Sequence, residues 1–374
     1  MKELKLQPDE HAFLSTHCPY LKKDYLEYLC EFRFYPKDQV IAEFVREKSS
    51  PGEISDKDLG SIKLEINGVW SEIILYEVPI LSIISEAFYR FVDTDWNMDG
   101  QREKIREKAL ELIKSGCIFS EFGTRRRRSY ETQDMVVKEL AKISHRDNKT
   151  EMSKESGANM FSIEQNQVEG RFAGTSNVYL GKKYGIPVSG TVGHEWTMGI
   201  AALEKTFEKG NSLALEKWYQ TFRGNLGIAL TDTFGIHAFF TNFNDELSSK
   251  YNGLRHDSGD PYKFVDTAIA HYSGMKMDPS TKTIVFSDGL DTDKAISLKK
   301  YCESKNVKCA FGIGTFLTND FTRASDSNIV SEPTKIVIKL VECGGFGCVK
   351  LSDDPGKFTG LNEDIDRARK ELGY

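Results

Sequence analysis

The histidine in GTVGHEW, His194, follows the apolar run IPVSGTV directly and opens a stretch of helical spacing that reaches Lys205. A lone histidine is more often a satisfied structural side chain. At a strand end, with Glu195 beside it and carboxylates of later strands in reach, it can instead gain a fixed tautomer and a more nucleophilic ring nitrogen. Those are the requirements for phosphorylation on the imidazole.

Arg125, Arg126, Arg127 and Arg128 follow Phe122-Gly123 at another strand end. The planar guanidinium fork suits phosphate and carboxylate because it donates two parallel hydrogen bonds. A solvated charge run or a nuclear-import signal is the plainer alternative. Its position after EFG, in a chain of net charge −6, favours an anion site. In LRHDSGDP, Arg255, Asp257, Ser258 and Asp260 surround a Ser-Gly turn through which backbone can approach a ligand closely. Two such acids can bind ribose hydroxyls or hold Mg²⁺ on a diphosphate. An Asx turn before a helix is the competing reading, above all for Asp260 before Pro261.

Ser287, Asp288 and Gly289 in FSDGLD, then Gly312, Gly314 and Thr315 in FGIGTFLTND, each place small residues after an apolar run. Free N–H groups at such turns can cradle a phosphate. One GxG is weak evidence, but two on successive strands form the usual phosphate grip of an α/β barrel. Neither a GxxxxGK[ST] loop nor a GxGxxG with a suitably placed acid occurs, so nucleotide binding by those routes is not supported. No His, Cys and carboxylate cluster has zinc spacing, and no metal ligand is assigned.

These residues need a scaffold that brings strand ends together. From Cys117 onward the runs CIFSEFGTR, IPVSGTV, GIALTDTF, TIVFSDGL, VKCAFGIGT, TKIVIKLVEC and CVKLSD alternate with helical stretches, the cadence of an irregular parallel α/β barrel. Chemistry in such folds gathers where strands end. Upstream, FRFYPKDQVIAEF and SIKLEINGVWSEIILYEV predict a small, largely antiparallel layer between Asp24 and Tyr76, followed after Pro79 by helices with one apolar face. The organisation expected is a smaller N-terminal α+β domain over 1–115, a barrel over 116–352 with a flexible loop at 143–170, and a tail, 353–374, returning to the accessory domain. At 374 residues and 39% hydrophobic content the chain can bury such a core.

The acidic balance supplies no global basic field, so a nucleic-acid partner is not expected. The seven cysteines contain no CxxC pair and read as reduced thiols of a cytosolic protein. The N-terminus has no signal or transit pattern, and no apolar run reaches the roughly 18–20 residues a membrane helix needs.

Taken in order, FGTRRR, GTSNVYLGKKYGIPVSGTVGHEW, TDTF, RHDSGDP, FSDGLD, FGIGTFLTND and VKLSDDPGK closely resemble nicotinate phosphoribosyltransferases, from about Pro19 to about Gly360. The ordered set is specific although its members are not. The resemblance implies a type II phosphoribosyltransferase fold that forms nicotinate mononucleotide from nicotinate and 5-phosphoribosyl-1-pyrophosphate, with ATP and Mg²⁺, as a homodimer. It implies that His194 is the phosphorylated histidine, that Asp232 and Asp257 orient it, and that Arg125 and Arg255 contact phosphate and the pyridine base. By the same resemblance Phe122 stacks on that base and Gly289, Gly312 and Gly314 receive the 5-phosphate. Related nicotinamide-using enzymes carry an aspartate where this chain has Ser176, so a hydroxyl that can donate to a carboxylate favours nicotinate. A nicotinamide-preferring transferase is one alternative. Family members also begin with a segment resembling D-x-Y-K-x-T-M, of which residues 1–18 show no equivalent. The chain is therefore expected to lack the family's N-terminal segment, and a catalytically weak paralogue acting through partner binding is the other alternative.

Overall fold

The computed structural model describes residues 1–47, 55, 58–147, 170–354 and 356–374. Near the N-terminus, β1 (Val40–Arg46) and β2 (Gly60–Ile66) pair antiparallel from Val40↔Ile66 to Arg46↔Gly60. Among the described residues, the antiparallel layer expected over Asp24–Tyr76 is this hairpin alone. Lys23–Glu31 is a helix, and Trp70–Tyr76 forms helical turns. Tyr25, Tyr28 and Phe32 stack at three- and four-residue intervals, and Leu26 turns into the core. That spacing serves a helix and cannot put the same rings on one face of a strand.

Beyond Pro79 the expected helices form, at Glu77–Phe91 and Gln101–Lys114. The main sheet then consists of β3 (Ile118–Glu121), β4 (Arg171–Thr175), β5 (Ile228–Leu230), β6 (Gly253–His256), β7 (Thr283–Phe286) and β8 (Lys308–Ile313). Its order is β4-β3-β8-β7-β6-β5, and every pairing is parallel. β3, β5 and β7 are buried along their whole length, because helices cover one face and the barrel interior fills the other. Phe119, Phe172, Phe286 and Phe311 belong to the large cluster under those helices.

Ile186–Val192 borders the open side of β4, with Thr175 N donating to Pro187 O at 3.1 Å and Ser189 N to Thr175 O at 2.9 Å. It also reaches β6, where the Arg255 guanidinium donates to Thr191 Oγ1 at 2.7 Å and Val192 O at 3.2 Å. The parallel sheet therefore curls into the irregular α/β barrel that the strand-helix cadence predicts.

Three apolar runs expected as barrel strands are not: IPVSGTV makes one isolated bridge, Val188↔Thr175, and β4, which no expected run covered, fills the sheet position beside β3. In TKIVIKLVEC only Glu342–Cys343 pairs, with Phe346–Gly347, and CVKLSD makes one antiparallel bridge, Lys350↔Thr359. Their apolar side chains find other partners: Ile338 packs in the N-terminal cluster with Phe34, Tyr76 and Ile80, and Leu340 against Met198 and Ala202. The tail also differs from expectation. Its helix, Asn362–Leu372, buries Ile365 and Ala368 against Ala201, Phe207, Phe234 and Ala238, a cluster with no residue from 1–115.

Residues 143–147 of the expected long loop complete the helix Tyr130–Asp147, and 148–169 lie outside the described residues. All seven cysteines are free thiols, with Cys30 exposed and Cys343 half-buried rather than in the core. Among the described residues no helix is long and apolar enough to cross a membrane.

Candidate active site

Because all six strands run the same way, their C-terminal ends share one rim, and the residues that follow them meet there. The rim holds a cavity of about 400 Å³ lined by Phe122, Arg125 and Arg126 after β3, Arg255 and Asp257 on and after β6, Asp288 and Gly289 after β7, and Gly312, Gly314 and Thr315 around the end of β8. Gly312 has no alternative here, since a Cβ at that position would lie 2.5 Å from the Phe122 ring. Gly289 turns the chain with φ +53°.

His194 lies behind the cavity wall at the first position of the helix His194–Leu203, almost fully buried. Nε2 is 3.0 Å from Asp257 Oδ2 and 3.6 Å from Asp232 Oδ1, and Nδ1 is 3.2 Å from Thr233 Oγ1. Burial lowers its pKa below the usual imidazole value, and the charges of Asp232 and Asp257 offset this only in part. For Asp257 burial acts the other way, but Arg255 and His194 outweigh it and hold the carboxyl well below the ordinary range. An ionised carboxylate can only accept, so Nε2 carries the proton. Thr233 then donates to Nδ1, which keeps the nucleophilic lone pair.

Asp232 is completely buried, accepts from Ser258 Oγ at 2.7 Å, and pairs with Lys350 Nζ at 3.2 Å, both through Oδ2. Its Oδ1 has no hydrogen bond and faces the imidazole. The donor atoms of His194, Asp232 and Asp257 all lie within 4.8 Å of one another, a proximity that sequence spacing did not show. Arg255 is held on four sides: Nη2 donates to Asp257 Oδ1 at 2.8 Å and Nε to Ser287 Oγ at 2.7 Å, besides its bonds to Thr191 and Val192.

The arginine run divides. Arg125 and Arg126 face the cavity, Arg125 pairing with Glu77 at 2.9 Å. Arg127 turns to Gln133, and Arg128 is buried against Tyr89, Phe321 and Trp96. Asp288 lines the cavity, and its carboxylate has no hydrogen bond or close ion pair among the described residues, while its backbone O accepts from Lys294 Nζ at 3.2 Å; burial raises its pKa, against the pull of Lys357 and Lys294.

Three residues expected to touch substrate do not line the cavity. Asp260 caps the helix Pro261–Gly274, accepting from Tyr262 N at 2.8 Å and Lys263 N at 3.2 Å. A free carboxylate ahead of Pro and exposed N–H groups is captured locally. Ser258 is spent on Asp232 and on the backbone N of Asp353, 3.1 Å away. Ser176 sits on the same rim after β4, its N–H bonded to Glu121 O at 2.8 Å, but outside the cavity wall. Conversely, Thr233, Thr191 and Lys350 were not foreseen. Thr233 stood next to Asp232 in TDTF, whereas nothing in VKLSDD showed where Lys350 would point.

A barrel rim so furnished defines an α/β-barrel enzyme that handles phosphorylated substrates. The comparisons with known proteins make this specific. The chain belongs to the nicotinate phosphoribosyltransferase (NAPRTase) family, whose model matches residues 117–373. The family's N-terminal domain model matches residues 1–85, so that domain is present and the expectation of a missing N-terminal segment is not borne out. The nicotinate phosphoribosyltransferase of Methanosarcina mazei is 42% identical over 387 residues, covering 99% of this chain and 84% of its own length. A solved Saccharomyces cerevisiae structure, 35% identical, aligns with TM-score 0.89 over 100% of this chain and 85% of its own. The nicotinate phosphoribosyltransferase structure from Porphyromonas gingivalis is also 35% identical, with TM-score 0.81 over 100% and 86%.

Proposed function

We propose that this chain transfers the 5-phosphoribosyl group of 5-phosphoribosyl-1-pyrophosphate to nicotinate, giving nicotinate mononucleotide and diphosphate, and couples this to ATP through phosphorylation of His194. The observation that carries the reading is the joining of two sites on one rim. A cavity with guanidinium groups and glycine amides shares Asp257 with the buried imidazole.

The residues divide the work. The Gly312, Gly314 and Thr315 turn offers backbone N–H groups for the 5-phosphate. Arg125 and Arg126 face the charge of diphosphate or of the nicotinate carboxylate, and the Phe122 ring offers an apolar face to the pyridine. Asp288 supplies hard carboxylate oxygens suited to ribose hydroxyls or to Mg²⁺, and a bound Mg²⁺ would neutralise charge on the leaving diphosphate. An oxocarbenium-like ribosyl centre is stabilised by such preorganised charge. At His194 the neutral imidazole presents Nδ1 as nucleophile, while Nε2–H stays on the ring and donates to Asp257. Asp232 stabilises the cationic phosphohistidine, and Lys350 keeps that second acid paired when the histidine is neutral.

The test is direct. Purified protein with nicotinate and 5-phosphoribosyl-1-pyrophosphate should form nicotinate mononucleotide, and γ-labelled ATP should place label on His194. Label that survives His194→Ala would overturn the assignment. Competition between the two bases decides selectivity, with nicotinate expected to win. For a homodimer, the exposed Ile83, Phe91 and Val92 on and just past the helix Glu77–Phe91 offer apolar surface to a second copy, and sedimentation reads the mass.

A further inference from the structure

Glu121 is the last residue of β3, and its carboxylate is fully buried yet takes no part in the mechanism above. It accepts from Gly123 N, from Thr175 Oγ1 at the end of β4, and from Gln133 Nε2, which is 3.1 Å from each oxygen. Gln133 in turn donates to Thr124 Oγ1 at 2.7 Å and accepts from Arg127 and Asn177. One buried anion thus ties the loop that carries Phe122, Arg125 and Arg126 to the β4 end that carries Ser176. No cation lies within ion-pair distance of it among the described residues; burial raises its pKa, and the three oriented donors, with the charge of Arg127 further off, work against that rise.

We propose that Glu121 is a positioning residue for the phosphoribosyl and base side of the site, fixing the Phe122–Arg126 loop through Gly123, Gln133 and Thr175, and that it has no part in phosphorylation of His194. The inference rests on the function proposed above. Its physical basis is that all three partners are donors. A glutamine at 121 would keep the shape but turn an NH₂ toward one of them, and the loop would have to shift to relieve the clash. His194, Asp232 and Asp257 hang on the ends of the Ile186–Val192 segment, β5 and β6, and share no hydrogen bond with this network.

Glu121→Gln, checked for folding by its melting curve, is compared with wild type in two assays. Steady-state kinetics should show KM for 5-phosphoribosyl-1-pyrophosphate and nicotinate raised about tenfold or more, with kcat changed less. ATP labelling of His194 should stay within about twofold of wild type. The double variant Glu121→Gln, Gln133→Glu restores an acceptor opposite the new amide and should recover part of the lost KM. Unchanged KM values, or labelling that falls in step with transfer in a folded variant, would overturn the proposal. If Glu121→Gln does not fold, Gln133→Met removes one donor and keeps the anion, and the same split between the assays decides. Wild-type protein that makes no mononucleotide defeats the functional reading instead, a result distinct from any of these.

Discussion

Glu121 at the end of β3 and Asp232 after β5 are both fully buried carboxylates on the same rim, but their surroundings differ. Glu121 has both oxygens engaged by a backbone amide, an amide side chain and a hydroxyl. Asp232 is served on Oδ2 alone, by Ser258 and Lys350, and leaves Oδ1 unbonded 3.6 Å from His194. A carboxylate with both oxygens already hydrogen-bonded has no free acceptor to offer a neighbour and acts as a fixed anchor. An anion with one free oxygen next to an imidazole is poised to stabilise positive charge that appears and disappears there. One half of the rim is built to stay still and the other to change charge.

The widest gap between the halves should appear on removing the poised acid. Asp232→Ala strands Lys350 as a buried unpaired cation and should cost about 3–5 kcal/mol in urea unfolding. His194 labelling should collapse with it. Stability within about 1 kcal/mol of wild type would mean that the ion pair does not hold this half together. On the fixed half, Arg126→Ala should raise KM for 5-phosphoribosyl-1-pyrophosphate about tenfold and leave labelling unchanged. Equal losses in both assays would erase the division.

The pH dependence sharpens it further. In the proposed phosphorylation His194 attacks as the neutral base, and burial lowers its pKa, so labelling should hold constant on going down through about pH 6.5 and fall only below that. A midpoint above the free imidazole value would show that the two aspartates outweigh burial. The smallest effect is expected outside both halves: Asp260→Ala should lose about 1 kcal/mol of stability as a lost helix cap, with KM unaltered. A clear rise in KM would return Asp260 to the substrate.

Much of this was legible in the chain. Apolar runs ending in small or charged residues located β3, β5, β7 and β8, and His194, Asp257, Arg255, Asp288 and the glycines of both turns came to one rim because parallel strands allow nothing else. Of the runs that misled, TKIVIKLVEC and CVKLSD are as apolar as strands but pair with helices and with the N-terminal cluster, and IPVSGTV makes a single bridge to the end of β4. Ser258 and Asp260 misled for a related reason, since a polar side chain near a site can be consumed by a neighbouring carboxylate or a helix end.

The sequence alone determined the alternation of β3, β5, β7 and β8 with helices and the residue kinds at those strand ends, because hydrophobic period and turn chemistry act over a few residues. Tertiary structure decided which arginines of a run face the cavity, that Thr233 and Lys350 join the histidine, and that Glu121 is an anchor. Those outcomes depend on directions and distances between strands far apart in the chain, and burial sets each group's charge only once the strands have met.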